Sequence, residues 1–337
     1  MSSDRKEKKG QQYSGIGGQA VREGIMMKNK EKYSLAVRKQ DGTIAVKTET
    51  YKGITGGKML KIPFVRGIFA FIDSMVLGIK TLNDSAEYFE EDPEKPDDKK
   101  DGTKDGEKQK ERNSENAMMG FVIVIAFALG IGLFTILPFY LSRLLKTFVM
   151  NESLLNLIEG LFRILIFIIY LSLISLMKDM QRVFMYHGAE HKCINCVEHG
   201  RPLNVENVMR SSRQHRRCGT SFLLYVMLIS VVVFFFIQTG NVALKIVLRI
   251  VLIPVIAGIS YEILRFAGRH NNSFIRALAA PGLWMQKLTT REPDESMAEV
   301  AIAAVEAVFD WKKYLHDEFG YDENDWTAYE DESENGI

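Results

Sequence analysis

The run AMMGFVIVIAFALGIGLFTILPFYL at residues 117–141 carries no charged side chain, and it decides the fold class. As a helix rising ~1.5 Å per residue, it is longer than the ~30 Å hydrocarbon core of a bilayer. Three more apolar runs follow: SLLNLIEGLFRILIFIIYLSLISLM (153–177), TSFLLYVMLISVVVFFFIQ (220–238) and ALKIVLRIVLIPVIAGISYEIL (243–264). Each is about long enough to cross, so the sequence predicts a polytopic bundle of four transmembrane helices. Lys and Arg in the short connections set its orientation. The 178–219 loop carries Lys178, Arg182, Lys192, Arg201, Arg210, Arg213, Arg216 and Arg217, the 142–152 loop only Arg143 and Lys146, and the 239–242 turn none. The long loop and both termini are therefore expected on the cytoplasmic side.

Outside these runs the chain is polar. Its formal net charge of +1 gives no push toward nucleic acid, and no specific nucleic-acid motif is present. The charged start, MSSDRKEKKGQQYSG, has no apolar core behind it, so no cleavable signal peptide is expected. Three cysteines, all in one basic segment, point to a reducing compartment rather than a disulfide framework.

Residues 1–12 read as a disordered arm and 13–61 as a small antiparallel β-meander. Its strands fall around Val21–Met27, Tyr33–Arg38 and Thr43–Thr50, with Asp41-Gly42 as a hairpin turn. Gly15, Gly17 and Gly18 lack the Lys-Ser/Thr of a phosphate loop and read as a turn before a strand. Residues 62–82 are apolar, but Arg66, Asp73 and Lys80 are costly in hydrocarbon. An interfacial or bundle-packed helix is expected over 62–89. The stretch 90–116 cannot bury a core and reads as a disordered charged linker. Residues 265–320 are expected to form cytoplasmic helices. Within 295–318, Met297, Val300, Ala301, Ala304, Val308 and Trp311 share one stripe, which predicts packing against another part of the chain. An acidic tail follows over 321–337.

The chemistry concentrates at 187–218. Segment 153–177 is expected to continue as a helix to His187, where the chain reads HGAEHKCINCVE (187–198). His187 and His191 lie one turn apart on one face and can hold a single cation, and Glu190 beside them completes the His-x-x-Glu-His pattern of inverted zincins. In that pattern the two His ligate zinc and the Glu carries the proton. The third ligand is open among Glu198, His215 and Cys218. Two other readings stand beside it. Cys193 and Cys196, with His191 or His215 and Cys218, form the donor set of a closed structural zinc site. Without metal, the same groups are an interfacial polar network. Within the apolar runs, Glu159, Arg163 and Arg249 are expected to pair as an intramembrane charge network, since none is cheaply buried alone. A transport pathway is the competing reading there.

Five stretches in order, GGQAVREGIMMKN (17–29), IPFVRGIFAFIDS (62–74), YHGAEHKCINCVE (186–198), HRRCGTSFLL (215–224) and PGLWMQKLTTREPDESMAEVAIAA (281–304), resemble the YqhQ-like family of bacterial membrane proteins. Its function is unknown, and its members are regarded as metal-dependent enzymes. The resemblance implies a bacterial inner-membrane location and a site of His187, Glu190, His191, Glu198 and His215, with Arg217 and Gly219 beside them. Cys193 and Cys196 fall outside the family's shared pattern, which lowers the Cys-rich site. The N-terminal glycines, Glu23, and the 281–294 segment with Trp284, Thr289, Thr290 and Arg291 belong to it, as cytoplasmic elements folded onto the cluster. Members sit near genes for translation factors and ribosomal proteins.

The expected architecture is thus an α-helical membrane bundle with a small α+β cytoplasmic cap that includes the meander. The expected function is that of a zinc-dependent, hydrolase-like membrane enzyme. A non-enzymatic factor in translation or membrane-protein biogenesis, with the ribosome or translocon as partner, is the alternative.

Overall fold

The computed structural model describes residues 10–54, 59–90, 118, 120–122, 124–270 and 272–322. The expected linker, the first nine residues of the arm and most of the acidic tail lie outside them. The described residues are mostly helical, 67%, with one antiparallel four-stranded sheet among them near the start of the chain. It divides into two compact units, one within Met1–Phe89, Ile174–Leu224 and Ala257–Ile337, the other within Glu90–Leu173 and Tyr225–Ile256.

In the first unit the sheet is a meander of β1 (Ile16–Val21), β2 (Gly24–Asn29), β3 (Lys32–Arg38) and β4 (Ile44–Thr50), ordered β1-β2-β3-β4. The expected strand around Val21–Met27 is in fact two. Glu23, with φ 50°, turns the chain so that Val21 faces Gly24 across a tight hairpin. The Asp41-Gly42 turn forms with Gly42 at φ +85° and the Asp41 carboxylate accepting from the Thr43 amide at 2.8 Å.

Strands β2 and β3 are buried on both faces. On one, Ile16, Ile25, Met27 and Ala36 pack with α4 (Lys178–Glu198) and α9 (Glu295–Glu306). On the other, Val21, Met26, Tyr33, Leu35 and Val37 pack around Leu77 of α1 (Val65–Glu90). The period of two therefore serves two cores at once.

Helix α1 shows why 62–82 keeps its charges. Asp73 accepts from the Ile54 amide and Tyr51 hydroxyl at 2.8 and 3.2 Å. Lys80 reaches Tyr33 Oη at 2.8 Å, and Arg66 pairs with Glu262, its Nε donating at 2.6 Å. The charges serve the sheet side and its neighbours within this unit.

The stripe over 295–318 is split in two. Helix α9 takes Met297, Val300, Ala301 and Ala304 to full burial. Asp310 then caps α10 (Trp311–Phe319) by accepting from the Lys313 amide, so the helix restarts there. Helix α5 (Val205–Arg210) packs against α9, Gly200 lies against Phe319 of α10, and α8 spans Ser273–Thr289.

The second unit holds most of the apolar helices. Three are long and apolar enough to cross a membrane: α2 (Gly120–Thr147), α3 (Glu152–Ile174) and α7 (Val242–Ala267). The fourth expected span is shorter: α6 covers Gly219–Phe235, 17 residues, or ~25 Å of helix. The expected continuation of 153–177 into the His segment is also broken. Helix α3 ends at Ile174 and α4 starts afresh after Met177, whose ψ of 129° is extended.

Pro138 in α2 has no amide for the Phe134 carbonyl, and the helix passes through a π turn at Gly132–Ile136. Arg163 Nε fills that vacancy, donating to the Phe134 carbonyl at 2.9 Å. Glu159 takes Arg163 at 2.9 Å on one oxygen and Arg249 at 2.6 Å on the other.

Candidate metal centre

Helix α4 is the platform, and its faces divide the labour. Tyr186, Ala189, Cys193, Cys196 and Val197 turn into the sheet-side core. His187, His191 and Asn195, four residues apart in turn, face the opposite way and receive the 209–218 segment. That segment is tied down through its backbone. Lys192 Nζ donates to the Met209 and Ser211 carbonyls at 2.6 and 3.0 Å, and Asn195 Nδ2 to those of Ser212 and Gln214 at 2.6 and 2.9 Å. From α8, the Gln286 amide brackets His215, accepting from its N–H at 2.8 Å and donating to its carbonyl at 2.7 Å. Gly188 lets the 291–293 strand of chain cross α4, for a Cβ there would stand 2.0 Å from the Arg291 carbonyl oxygen.

The result is a convergence of three donors. One ligand atom each of His187, His191 and Cys218 lie within 4.8 Å of one another. His187 Nδ1 is 2.8 Å from the Thr289 carbonyl, and His191 Nδ1 is 2.7 Å from that of Arg213. A carbonyl only accepts, so each Nδ1 carries a proton, which leaves Nε2 as the nitrogen that can turn a lone pair to a metal. This carbonyl-backed tautomer is the one that ligating histidines adopt. Cys218 Sγ stands 3.2 Å from His187 Nε2, at the entry to α6.

Electrostatics follow the geometry. Burial raises the Cys218 thiol, but His187 and His191 outweigh it and leave the thiol well below its usual 9.0. Burial lowers His187, and the Cys218 sulfur overrides it, taking the imidazole up to about 9. Glu190 lies beside the three, buried, where burial raises its carboxyl above 4.5 against the pull of His191 and His187. The Gly18 amide of β1 donates to it, and Gly18 has no room for a Cβ, which would meet Met26 O at 2.6 Å.

Glu198 and His215 pair with each other at the edge of the cluster, the His215 ring 5.6 Å from that of His191. Glu198 is fully buried and accepts from Gln11 Nε2 at 2.9 Å, the Ser14 amide at 3.0 Å and Ser14 Oγ at 2.7 Å. Arg217 forms an ion pair with it, and His215 Nε2 lies 3.4 Å away. Its oxygens are spoken for, so it is a clasp rather than a donor to the three-atom cluster. The expected arm is therefore ordered from residue 10: Gln12 also bonds the Glu198 carbonyl at 2.9 Å, and Tyr13 lies under Arg217 at 4.4 Å.

Cys193 and Cys196 form no part of the cluster. Both are wholly buried in the core; burial pushes Cys196 up to about 12 and Cys193 well above 9.0, which makes them inert thiols. Of the other residues singled out, Glu23 pairs with Arg182 and lies 3.2 Å from Tyr186 Oη. Thr289 supplies the His187 carbonyl. The N-terminal glycines do fold onto the cluster, through Gly18, whereas sequence reasoning missed the Thr289 and Arg213 carbonyls, Ser14 and Gln11. None has a spacing signal, because backbone acceptors are blind to residue type.

Comparison with known proteins supplies a lineage. The profile of a family described as "Protein of unknown function (DUF1385)" matches residues 62–311. The uncharacterized protein YqhQ of Bacillus subtilis (strain 168) is 37% identical over 288 residues, which cover 85% of this chain and 89% of that protein. No solved structure matches.

Proposed function

From the premise that the chain belongs to the YqhQ-like DUF1385 family, we propose that it is a membrane-embedded, zinc-dependent hydrolytic enzyme. Its centre is His187, His191 and Cys218, with Glu190 as proton carrier. The observation that carries this is the pairing of a tight three-donor cluster with both Nδ1 atoms committed to carbonyls. Two imidazoles and a thiolate suit zinc, and three protein ligands leave a fourth position, the pattern of catalytic rather than structural sites. A zinc ion there supplies Lewis acidity and makes a bound water acidic near neutral pH.

The chain's own groups do the rest. Thr289 and Arg213 fix the imidazole tautomers. The Cys218 thiol is already favoured as thiolate beside His187, so the proton released on metal capture comes from the His187 imidazolium rather than from the sulfur. The carboxyl of Glu190, raised by burial and held beside the cluster, is the group to take and return a proton. The length and apolar character of α2, α3 and α7, with the shorter α6, support a location in a bacterial cytoplasmic membrane, and the Lys/Arg distribution supports both termini on its cytoplasmic side.

Glu190→Gln tests the enzyme reading, because it preserves shape and all three ligands. The purified variant should keep about one zinc per chain, while cells carrying it should show the lipid and peptide changes of a deletion strain. Cells indistinguishable from wild type would contradict catalysis. The second reading is a structural clasp in a factor serving the ribosome or translocon. It is favoured by the burial of His191 and Cys218, at 1% and 5% exposure, and by the way the cluster joins α4 to two distant segments. Co-purification with ribosomes or translocon after mild solubilisation supports it; absence of both counts against it.

A further inference from the structure

A second cluster of charge, in the second unit, is not explained by the metal centre. Arg143, Lys146, Glu152, Asn156, Glu159 and Lys245 line one cleft, whose inner space of ≈ 20 Å³ takes about one water-sized group such as a hydroxyl. Behind it, Arg163 and Arg249 pair with Glu159. Lys245, Arg249 and Arg163 are at most 5% exposed, and Glu159 is the one carboxylate buried with them. Glu152 is half-exposed and is shared between Lys146 and Lys245, each at 3.3 Å.

The five cations thus outnumber the two carboxylates by three. Three of the five, Lys245, Arg163 and Arg249, are buried with Glu159 and the half-exposed Glu152, while Arg143 and Lys146 stand exposed at the mouth, and the buried excess is costly unless an anion joins it. Two buried polar atoms also lack a partner among the described residues: Asn156 Oδ1, in the cleft wall, and Arg249 Nε. Asn156 Oδ1 calls for a donor, as the ammonium and guanidinium groups call for an acceptor. A phosphodiester carrying a hydroxyl answers both. The same helices present exposed Leu161, Leu165, Val247 and Val251, an apolar surface suited to acyl chains.

We propose that this cleft binds the headgroup of an anionic phospholipid, its phosphate on Lys245, Arg143 and Lys146 and its hydroxyl donating to Asn156 Oδ1. Basic pockets between membrane helices recognise headgroups in this way. The proposal rests on the reading of these helices as membrane spans, and the test keeps the two apart. Alkaline carbonate extraction of membranes should leave the full-length chain in the pellet; release into solution would overturn the membrane reading itself.

Full-length protein purified in mild detergent should retain about one phosphatidylglycerol in native mass spectra, and prefer it to phosphatidylcholine roughly tenfold. R143Q/K146Q changes two exposed side chains, so folding is not at stake, and should lower that preference by about tenfold. N156A should weaken phosphatidylglycerol more than phosphatidic acid, which lacks the headgroup hydroxyl. Equal retention of both lipids by a membrane-bound chain, or no effect of R143Q/K146Q, would overturn the cleft assignment. Full displacement of the lipid by millimolar inorganic phosphate would show a free-anion site instead.

Discussion

Gly188 has no Cβ because the Arg291 carbonyl oxygen would sit 2.0 Å from it, and Arg291 itself donates to the Phe184 carbonyl at 2.8 Å. Gly188→Ala must therefore push the 289–293 segment outward, and with it the Thr289 carbonyl that orients His187. Since such backing groups are worth 10–100-fold in metal affinity, zinc competition with a chromophoric chelator should show a loss of about that size. Unchanged affinity would show that the carbonyl is dispensable.

His215 offers a pH test at the same scale. Burial lowers it from 6.5 to about 4, aided by Arg217 and opposed by Glu198. The folded chain keeps it neutral where the unfolded chain takes up a proton. Its contribution is therefore whole above pH 6.5 and declines as pH falls from 6.5 to about 4, by up to ~3 kcal/mol. Denaturant unfolding across that range should show a slope that His215→Gln removes; equal slopes would refute the burial of a neutral imidazole. The sequence showed His187 and His191 as a pair because four-residue spacing on a helix is itself geometry. It left Cys218 among three candidates and ranked Glu198 and His215 ahead of it. Those two were not separable from ligands in sequence, because what occupies Glu198 is Ser14 and Gln11, more than 180 residues away.

At the scale of elements, α9 is held by its apolar stripe and its cap. Met297 is wholly buried against the sheet-side core, so Met297→Ala should cost ~2–5 kcal/mol in denaturant unfolding. Asp294 accepts from the Met297 amide at 2.9 Å, and its loss to Ala should cost a smaller ~0.5–2 kcal/mol. The reverse order would mean that the helix is anchored by its end rather than its face. The stripe was legible because its 3.6-residue period is a direct record of one buried face. The breaks were not. Helix α3 stops at Ile174 and α4 begins after Met177, with no Gly or Pro among residues 171–180 to announce the break. The hairpin at Glu23 likewise turns on a non-glycine residue in the left-handed region, φ 50°, where sequence offers no warning.

Across the whole molecule, the apolar runs were readable because a bilayer demands ~20 apolar residues in succession, a demand that leaves a trace in composition alone. The shortness of α6 was hidden, since Phe236, Ile237 and Gln238 continue the apolar texture after the helix has ended at Phe235. Buried charge sets the stability of the second unit. Glu159→Gln removes the carboxylate from both Arg163 and Arg249, and leaving buried charges unpaired typically costs ~3–5 kcal/mol. A marked fall in unfolding midpoint in detergent is expected, and a midpoint equal to wild type would mean that the aromatic rings of Phe139 and Phe234, each 5.4 Å from Arg249, already suffice.

X-ray absorption at the zinc edge of the purified protein tests the central claim most directly. The centre built from His187, His191 and Cys218 requires about one zinc per chain, with one sulfur at ~2.3 Å, two imidazole nitrogens at ~2.0–2.1 Å and one further light atom. Protein that binds no metal, or zinc surrounded by two or more sulfurs because Cys193 or Cys196 has joined it, would contradict the account.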